Sequence, residues 1–386
     1  MQLLDSRANL LVSYGANSQE VEELLVYNEN VFDCSCFDES IQFPLPSELH
    51  VATWKNYLEE AGRIGVFSTL KQKLLQLRFP VSPGISQTPA YQAATRKGKF
   101  DSSMDENSGL ILHEPEKLRL MVHSSLAGEI PVIIVNNRCD FVLLIQALTM
   151  RNEPQHIPDS MGACMIGGFN NWDRIRLYRE QWQVDHPHGT EADWNVEFRK
   201  LIPRKELYQD RFIILSQSRY SNVSAEKLGL SETEWLEISL AIRLEHECTH
   251  YLTKRLFGSM RNNLLDEFIA DYQGICAAIG SYREDWFLNF MGLESFPNYR
   301  QGGRLENYRD NLSPGSFHVM QKLIFNASKN LKSFVCQQGN NIDSTTMLMV
   351  LCQLTLEELA SDNFSANIFQ VLDKVGEIKS KEEDRV

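Results

Sequence analysis

His246-Glu247-Cys248-Thr249-His250, preceded by Ser231-Glu232-Thr233-Glu234 and followed by Asp266-Glu267-Phe268-Ile269-Ala270-Asp271, is the stretch whose reading decides the C-terminal fold. Ser231 to Glu234 has the form of a capping box, in which the serine accepts from a first-turn N–H and the glutamate reaches back. It predicts a helix that runs to about Phe257, with Gly258 as its stop. On that helix His246 and His250 stand at i and i+4, one turn apart on one face, where both imidazoles reach a single ion. A polar turn, Ser259 to Asn263, leads to a second helix from Leu264 to about Ala278, ending near Gly280. A helical hairpin returns Glu267 toward the histidines, and Asp271 follows one turn later on the same face.

A catalytic zinc site usually has three protein donors and one open position. His246 and His250 supply two, and Glu267 is the expected third. Asp271 is expected to accept the free ring N–H of a ligating histidine and fix its tautomer, with the reverse assignment, Asp271 as ligand, as the alternative. Glu247 is too close along the helix for comfortable ligation, but it is well placed to take a proton from a zinc-activated water as the general base. The pattern predicts one zinc per chain. Hydrolysis of a peptide or amide also needs a donor for the developing oxyanion. His318, the sole histidine after the motif, is the first choice, and Tyr299, Arg304 and Tyr308 compete with it. A closed structural zinc site would use more cysteine than Cys248, which points off the histidine face.

Histidine-glutamate-x-x-histidine followed by glutamate-x-x-x-aspartate on a later helix resembles the gluzincin metallopeptidases, the thermolysin and neprilysin types among them. The run Asp266 to Gly274 looks especially like the neprilysin-type glutamate-x-isoleucine-alanine-aspartate stretch, while the spacing from His250 to Glu267 is closer to the thermolysin type. The resemblance covers about Ser231 to Gly280. It implies a zincin fold and a zinc metallopeptidase, with Glu267 as third ligand, Asp271 as its supporting partner and Glu247 as general base. The competing function is a non-catalytic regulatory or binding protein on a zincin scaffold. A deformylase-like enzyme is a third option; it would want an upstream cysteine ligand, and Cys164 lacks the local signature.

With 386 residues, 43% hydrophobic and 23% charged, the chain has room for two or three ordinary globular domains. A net charge of -13 without a basic run argues against nucleic acid as a partner; a peptide or protein substrate is expected instead. The most apolar stretches, Pro131 to Val135 and Phe141 to Leu148, are too short and interrupted to span a bilayer, so no membrane association is expected. The N-terminus lacks the pattern of a signal peptide, and cysteines 34, 36, 139, 164, 248, 276, 336 and 352 form no C-x-x-C pair. Together these point to the cytoplasm. The C-x-C pair Cys34 and Cys36 reads as a loop rather than a metal site.

The expected class is α+β: a zincin-like catalytic region with a helical C-terminal part, and a mixed α/β N-terminal part. Residues 1–109 read as mainly helical, with helices at Gln19 to Tyr27, Trp54 to Glu60 and Phe67 to Leu77 and a polar segment from Arg96 to Gly109. Residues 110–220 read as α/β, contributing a sheet and a cleft wall, with strands at Ile130 to Val135 and Arg211 to Ser216 and a helix at Phe141 to Met150. Gly162, Gly167 and Gly168 precede a helix at Asp173 to Gln183 but match no phosphate-binding fingerprint, so a turn or bulge is expected there. His186 and His188 read as surface residues of a loop. Residues 221–378 form the helical zinc-binding region, with later helices at Phe317 to Phe334, Thr345 to Leu359 and Asn363 to Val375, and 379–386 is a charged tail.

Overall fold

Residues 2–34, 41–99, 109–339 and 342–383 are described by a computed structural model. The fold is α+β, with many helices and one four-stranded mixed sheet among the described residues. No helix of these residues is long and apolar enough to cross a membrane. The chain divides into two compact units, Pro46–Ser218 and a second that joins Met1–Leu45 to Arg219–Val386.

The unit Pro46–Ser218 contains the sheet. Its strands are β1 (Arg119–Ser125), β2 (Gly128–Val135), β3 (Ala163–Asn170) and β4 (Gln209–Ser216), in the order β1-β2-β4-β3. The first two form an antiparallel hairpin, β2 runs parallel to β4, and β3 closes the other edge antiparallel. The register between β3 and β4 shifts between Ile166 and Phe169, so Gly167 and Gly168 stand at a bulge or irregularity, in keeping with the turn or bulge expected there, but within a strand that the sequence reading did not include. Ile133, Val135, Phe212 and Ile214 share a core with Trp54 and Tyr57 of helix His50–Ile64 and with Phe141 and Leu144 of helix Arg138–Thr149. Asp210, fully buried on β4, accepts from Trp54 Nε1 at 2.8 Å, Asn171 Nδ2 at 2.6 Å and Arg174 Nη1 at 2.8 Å. Trp54, from helix His50–Ile64, and Asn171 and Arg174, the cap and first turn of helix Trp172–Asp185, thus satisfy one buried carboxylate. His186 and His188 are exposed in the turn between helices Trp172–Asp185 and Glu191–Leu201.

The other unit is helical. Helix Glu232–Phe257 begins at the Ser231 capping box and ends at Gly258, which has φ 71°. Helix Asn263–Ile279 follows, then Glu284–Met291, a 3-10 turn Arg304–Tyr308, and helices Pro314–Gln338, Ser344–Leu351, Leu356–Ala360 and Phe364–Glu383. The single helix expected over Thr345 to Leu359 is two, because Thr355 and Glu358 form a second capping box that starts a new helix. In the expected tail, 384–386 lie outside the described residues, as do Cys36 and residues 100–108 of the polar segment.

The division after residue 218 lies close to the one read after 220, whereas the other falls after 45 and not after 109. Local periodicity shows that the first hundred residues are helical but not which core each helix joins. Residues from Pro46 onward supply Trp54, whose ring lies 4.8 Å from that of Phe212 on β4. Helices Gln2–Ser13 and Ser18–Tyr27 and the residues that follow each instead bond to the C-terminal part of the chain. Tyr14 donates to Ala360 O at 2.8 Å, Asn30 to Cys352 O at 2.9 Å, and Arg7 to both oxygens of Glu357 at 3.2 Å.

Glu357 is 1% exposed, with Arg7 and Asn28 as its side-chain donors. Burial holds its carboxyl above the ordinary value, against the pull of Arg7. Arg7→Ala should therefore cost about 3 kcal/mol at neutral pH by leaving the charge unpaired. A carboxyl raised in the folded state binds more protons there than when unfolded, so part of that loss should return as the pH falls toward 5. Denaturant unfolding of the variant and the parent at pH 7 and pH 5 measures both effects; equal losses at the two pH values would contradict the assignment.

Candidate metal centre

The two helices that carry the motif approach closely for a local reason. A Cβ on Gly274 would stand 2.6 Å from the carbonyl oxygen of Ile242, so only glycine allows helix Asn263–Ile279 to lie this near helix Glu232–Phe257. That approach sets Glu267 and Asp271 opposite His246 and His250.

The imidazole Nε2 atoms of His246 and His250 are 3.0 Å apart. Glu267 Oε2 lies 3.4 Å from the first and Oε1 lies 3.6 Å from the second. Around an ion with bonds of about 2.0–2.1 Å, tetrahedral donors are separated by about 3.3 Å. The observed separations are of that order, with a different oxygen of Glu267 toward each ring. Both histidines are 6% exposed, whereas the Glu267 side chain keeps 21% of its surface, so the group is closed behind and open at Glu267.

Behind the donors stands a polar network centred on Asp271, which has no exposed surface. Its Oδ1 lies 2.9 Å from His246 Nδ1 and accepts from the Tyr220 hydroxyl at 2.5 Å. Its Oδ2 accepts from Arg304, which also donates to the Tyr220 hydroxyl at 2.7 Å. The guanidiniums of Arg304 and Arg243 lie 5.1 Å and 5.5 Å from the centre of the Tyr220 ring. Tyr308, from the same 3-10 turn as Arg304, donates to Glu267 Oε2 at 2.7 Å. A second acid, Asp266, places Oδ2 3.1 Å from His250 Nδ1.

The charge of the group bears on what it could hold. Three carboxylates, Asp266, Glu267 and Asp271, face the two imidazoles, and Arg304 is the cation paired directly with one of them. With neutral imidazoles the set carries two negative charges in excess, which one divalent cation cancels. Without an ion, the same acids draw protons onto the rings. Burial opposes protonation of His246, yet hydrogen bonds to Asp271 and Glu267 push it up to about 10. Burial opposes ionisation of Glu267, but the bond and charge of His246 hold its carboxyl well below the usual range. Two nitrogens and a carboxylate with an accessible side suit zinc.

Of the residues singled out in the sequence, His246, His250, Glu267 and Asp271 come together, with Asp271 against the ring nitrogen that faces away from the donor group. Glu247 is half-buried on the same helix, one turn after Arg243 and electrostatically coupled to it. His318 is not in this group: it is exposed on helix Pro314–Gln338, while its neighbours Phe317 and Val319 are buried. Its position downstream of the motif carried no information about its face. Arg304 and Tyr308, its competitors, are the ones that reach the acids. The sequence reading gave neither Tyr220 nor Asp266 a part in the donor group. Tyr220 lies before the helix with no spacing rule to mark it, whereas Asp266 was legible as an acid adjoining Glu267.

Residues 9–363 match the family described as "Family of unknown function (DUF7005)". The chain belongs to that family. No curated protein and no solved structure matches it. DUF7005 brings no assigned activity, and the chemistry of the centre is what bears on function.

Purified protein is expected to hold about one zinc per chain by elemental analysis. His250→Ala and Glu267→Ala should each reduce this well below stoichiometry, and chelation should lower the melting temperature of the parent but not of these variants. Metal-free parent protein whose melting is indifferent to added zinc would count against the centre.

Proposed function

We propose that this DUF7005 chain is a zinc metallopeptidase of gluzincin type, a hydrolase acting on a peptide or protein substrate. The observation that carries the reading is the convergence of His246, His250 and Glu267 at separations of 3.0–3.6 Å, with Glu247 on the same helix between the histidines. A zinc ion held by these three donors would polarise a carbonyl and activate a water at neutral pH.

The protein's own groups do the rest. Glu247 accepts the proton from the attacking water and delivers it to the leaving amine. Tyr308 is the donor for the oxyanion, in place of His318. Its hydroxyl donates to Glu267, the donor that keeps exposed surface, and burial, joined by the charge of Glu267 and against that of Arg304, holds its pKa well above the ordinary value. It therefore stays protonated and able to donate. Asp271 holds His246 with its Nε2 lone pair toward the donors, and Arg304 and Tyr220 fix Asp271 in turn. Scattered cysteines without a C-x-x-C pair support a cytoplasmic setting.

A mixed-peptide cleavage assay on zinc-loaded protein tests this. Glu247→Gln should retain zinc and lose hydrolysis by a factor of about 10²–10⁴. Tyr308→Phe should retain zinc and lose about 10²–10³ in kcat, while His318→Ala should leave both unchanged. Zinc-loaded parent that binds peptides and never cleaves them would overturn the proposal and favour a binding protein on this scaffold.

A further inference from the structure

Asp266 has no role in the mechanism above, yet it is 2% exposed and faces a metal-ligand histidine. The two histidines are arranged alike. Each turns Nε2 toward the donor group and Nδ1 toward a carboxylate of the facing helix: His246 toward Asp271 at 2.9 Å and His250 toward Asp266 at 3.1 Å. The two carboxylates differ in what else they touch. Asp271 is saturated by Tyr220, Arg304 and His246. Asp266 Oδ1 is buried without a hydrogen-bond partner, and His250 Nδ1 lies within contact distance of Oδ2 but outside hydrogen-bond alignment. A buried carboxylate oxygen with no donor destabilises a fold. Its ion pair with His250 ties what Asp266 does to that ring.

We infer that Asp266 is a second positioning carboxylate, whose role is retention of the ion rather than support of the fold. Facing Nδ1, it selects the tautomer of His250 that leaves the Nε2 lone pair free for the ion, and it raises the basicity of that nitrogen. It also supplies one of the two negative charges in excess at the centre. An asparagine carbonyl would preserve the tautomer without the charge, and alanine would preserve neither. This inference rests on the metal-centre reading above.

Zinc affinity measured by chelator competition, beside thermal unfolding of the metal-free proteins, separates the possibilities. Asp266→Asn should weaken zinc about 10–100-fold, and Asp266→Ala at least as much. Both metal-free variants should melt within about 4 °C of the metal-free parent, since the loss of one histidine ion pair is partly offset by removal of the unbonded buried oxygen or its charge. The visible spectrum of cobalt-loaded Asp266→Asn should keep the band intensity of the parent, reporting the same donor set held less tightly. Affinity of Asp266→Asn within twofold of the parent would overturn the inference and leave the metal centre standing. So would a fall in metal-free melting temperature that parallels the loss of zinc, since Asp266 would then be structural. Parent protein that binds no zinc would instead remove the metal centre itself, and this inference with it.

Discussion

Carboxylates facing imidazoles across a narrow gap between two helices are the constraint on which this centre depends. Buried charges of one sign are tolerated only when something of the other sign is near. On helix Asn263–Ile279 the acids at 266, 267 and 271 look onto two imidazoles, with Arg304 paired to Asp271 alone. Gly274 makes the gap narrow enough by admitting the Ile242 carbonyl where a side chain would otherwise stand. Remove that close approach and the acids are no longer in register with the histidines.

The remainder of the helical unit supports this arrangement from behind. Tyr220, ahead of the histidine helix, and the 3-10 turn Arg304–Tyr308, after helix Glu284–Met291, converge on the same two acids. Residues far apart in the chain thus hold Asp271 and Glu267 in fixed orientations, as positioned donors require. Arg7 and Asn28 perform a comparable service for Glu357, pinning the N-terminal helices to the C-terminal ones. In the sheet-containing unit the same principle appears at Asp210, satisfied by Trp54, Asn171 and Arg174.

Helix existence was largely legible in the sequence, because capping boxes and apolar periodicity act over a few residues. Ser231 with Glu234 and the stop at Gly258 give the limits of the histidine helix directly. Strands were read less completely. The continuous apolar runs of β2 and β4 were clear, whereas β1 carries His123, Ser124 and Ser125, and β3 is interrupted by Gly167 and Gly168; neither shows a strand's apolar signature. The site divides in the same way. His246, Glu247 and His250 share a helix, so their relation follows from 3.6 residues per turn, and Glu267 with Asp271 follows from the next helix.

What the sequence determined by itself was therefore local: which segments are helical, where they start and stop, and which donors share a face. Tertiary structure decided what those faces meet. It joined helices Gln2–Ser13 and Ser18–Tyr27 to the unit of the C-terminal helices and helix His50–Ile64 to that of the sheet, since a helix's apolar stripe fits more than one core until the chain is packed. It turned His318 outward and brought Tyr220, Arg304 and Tyr308 in. It also set Asp266 against His250, a contact that depends on the crossing of two helices and not on any spacing along one.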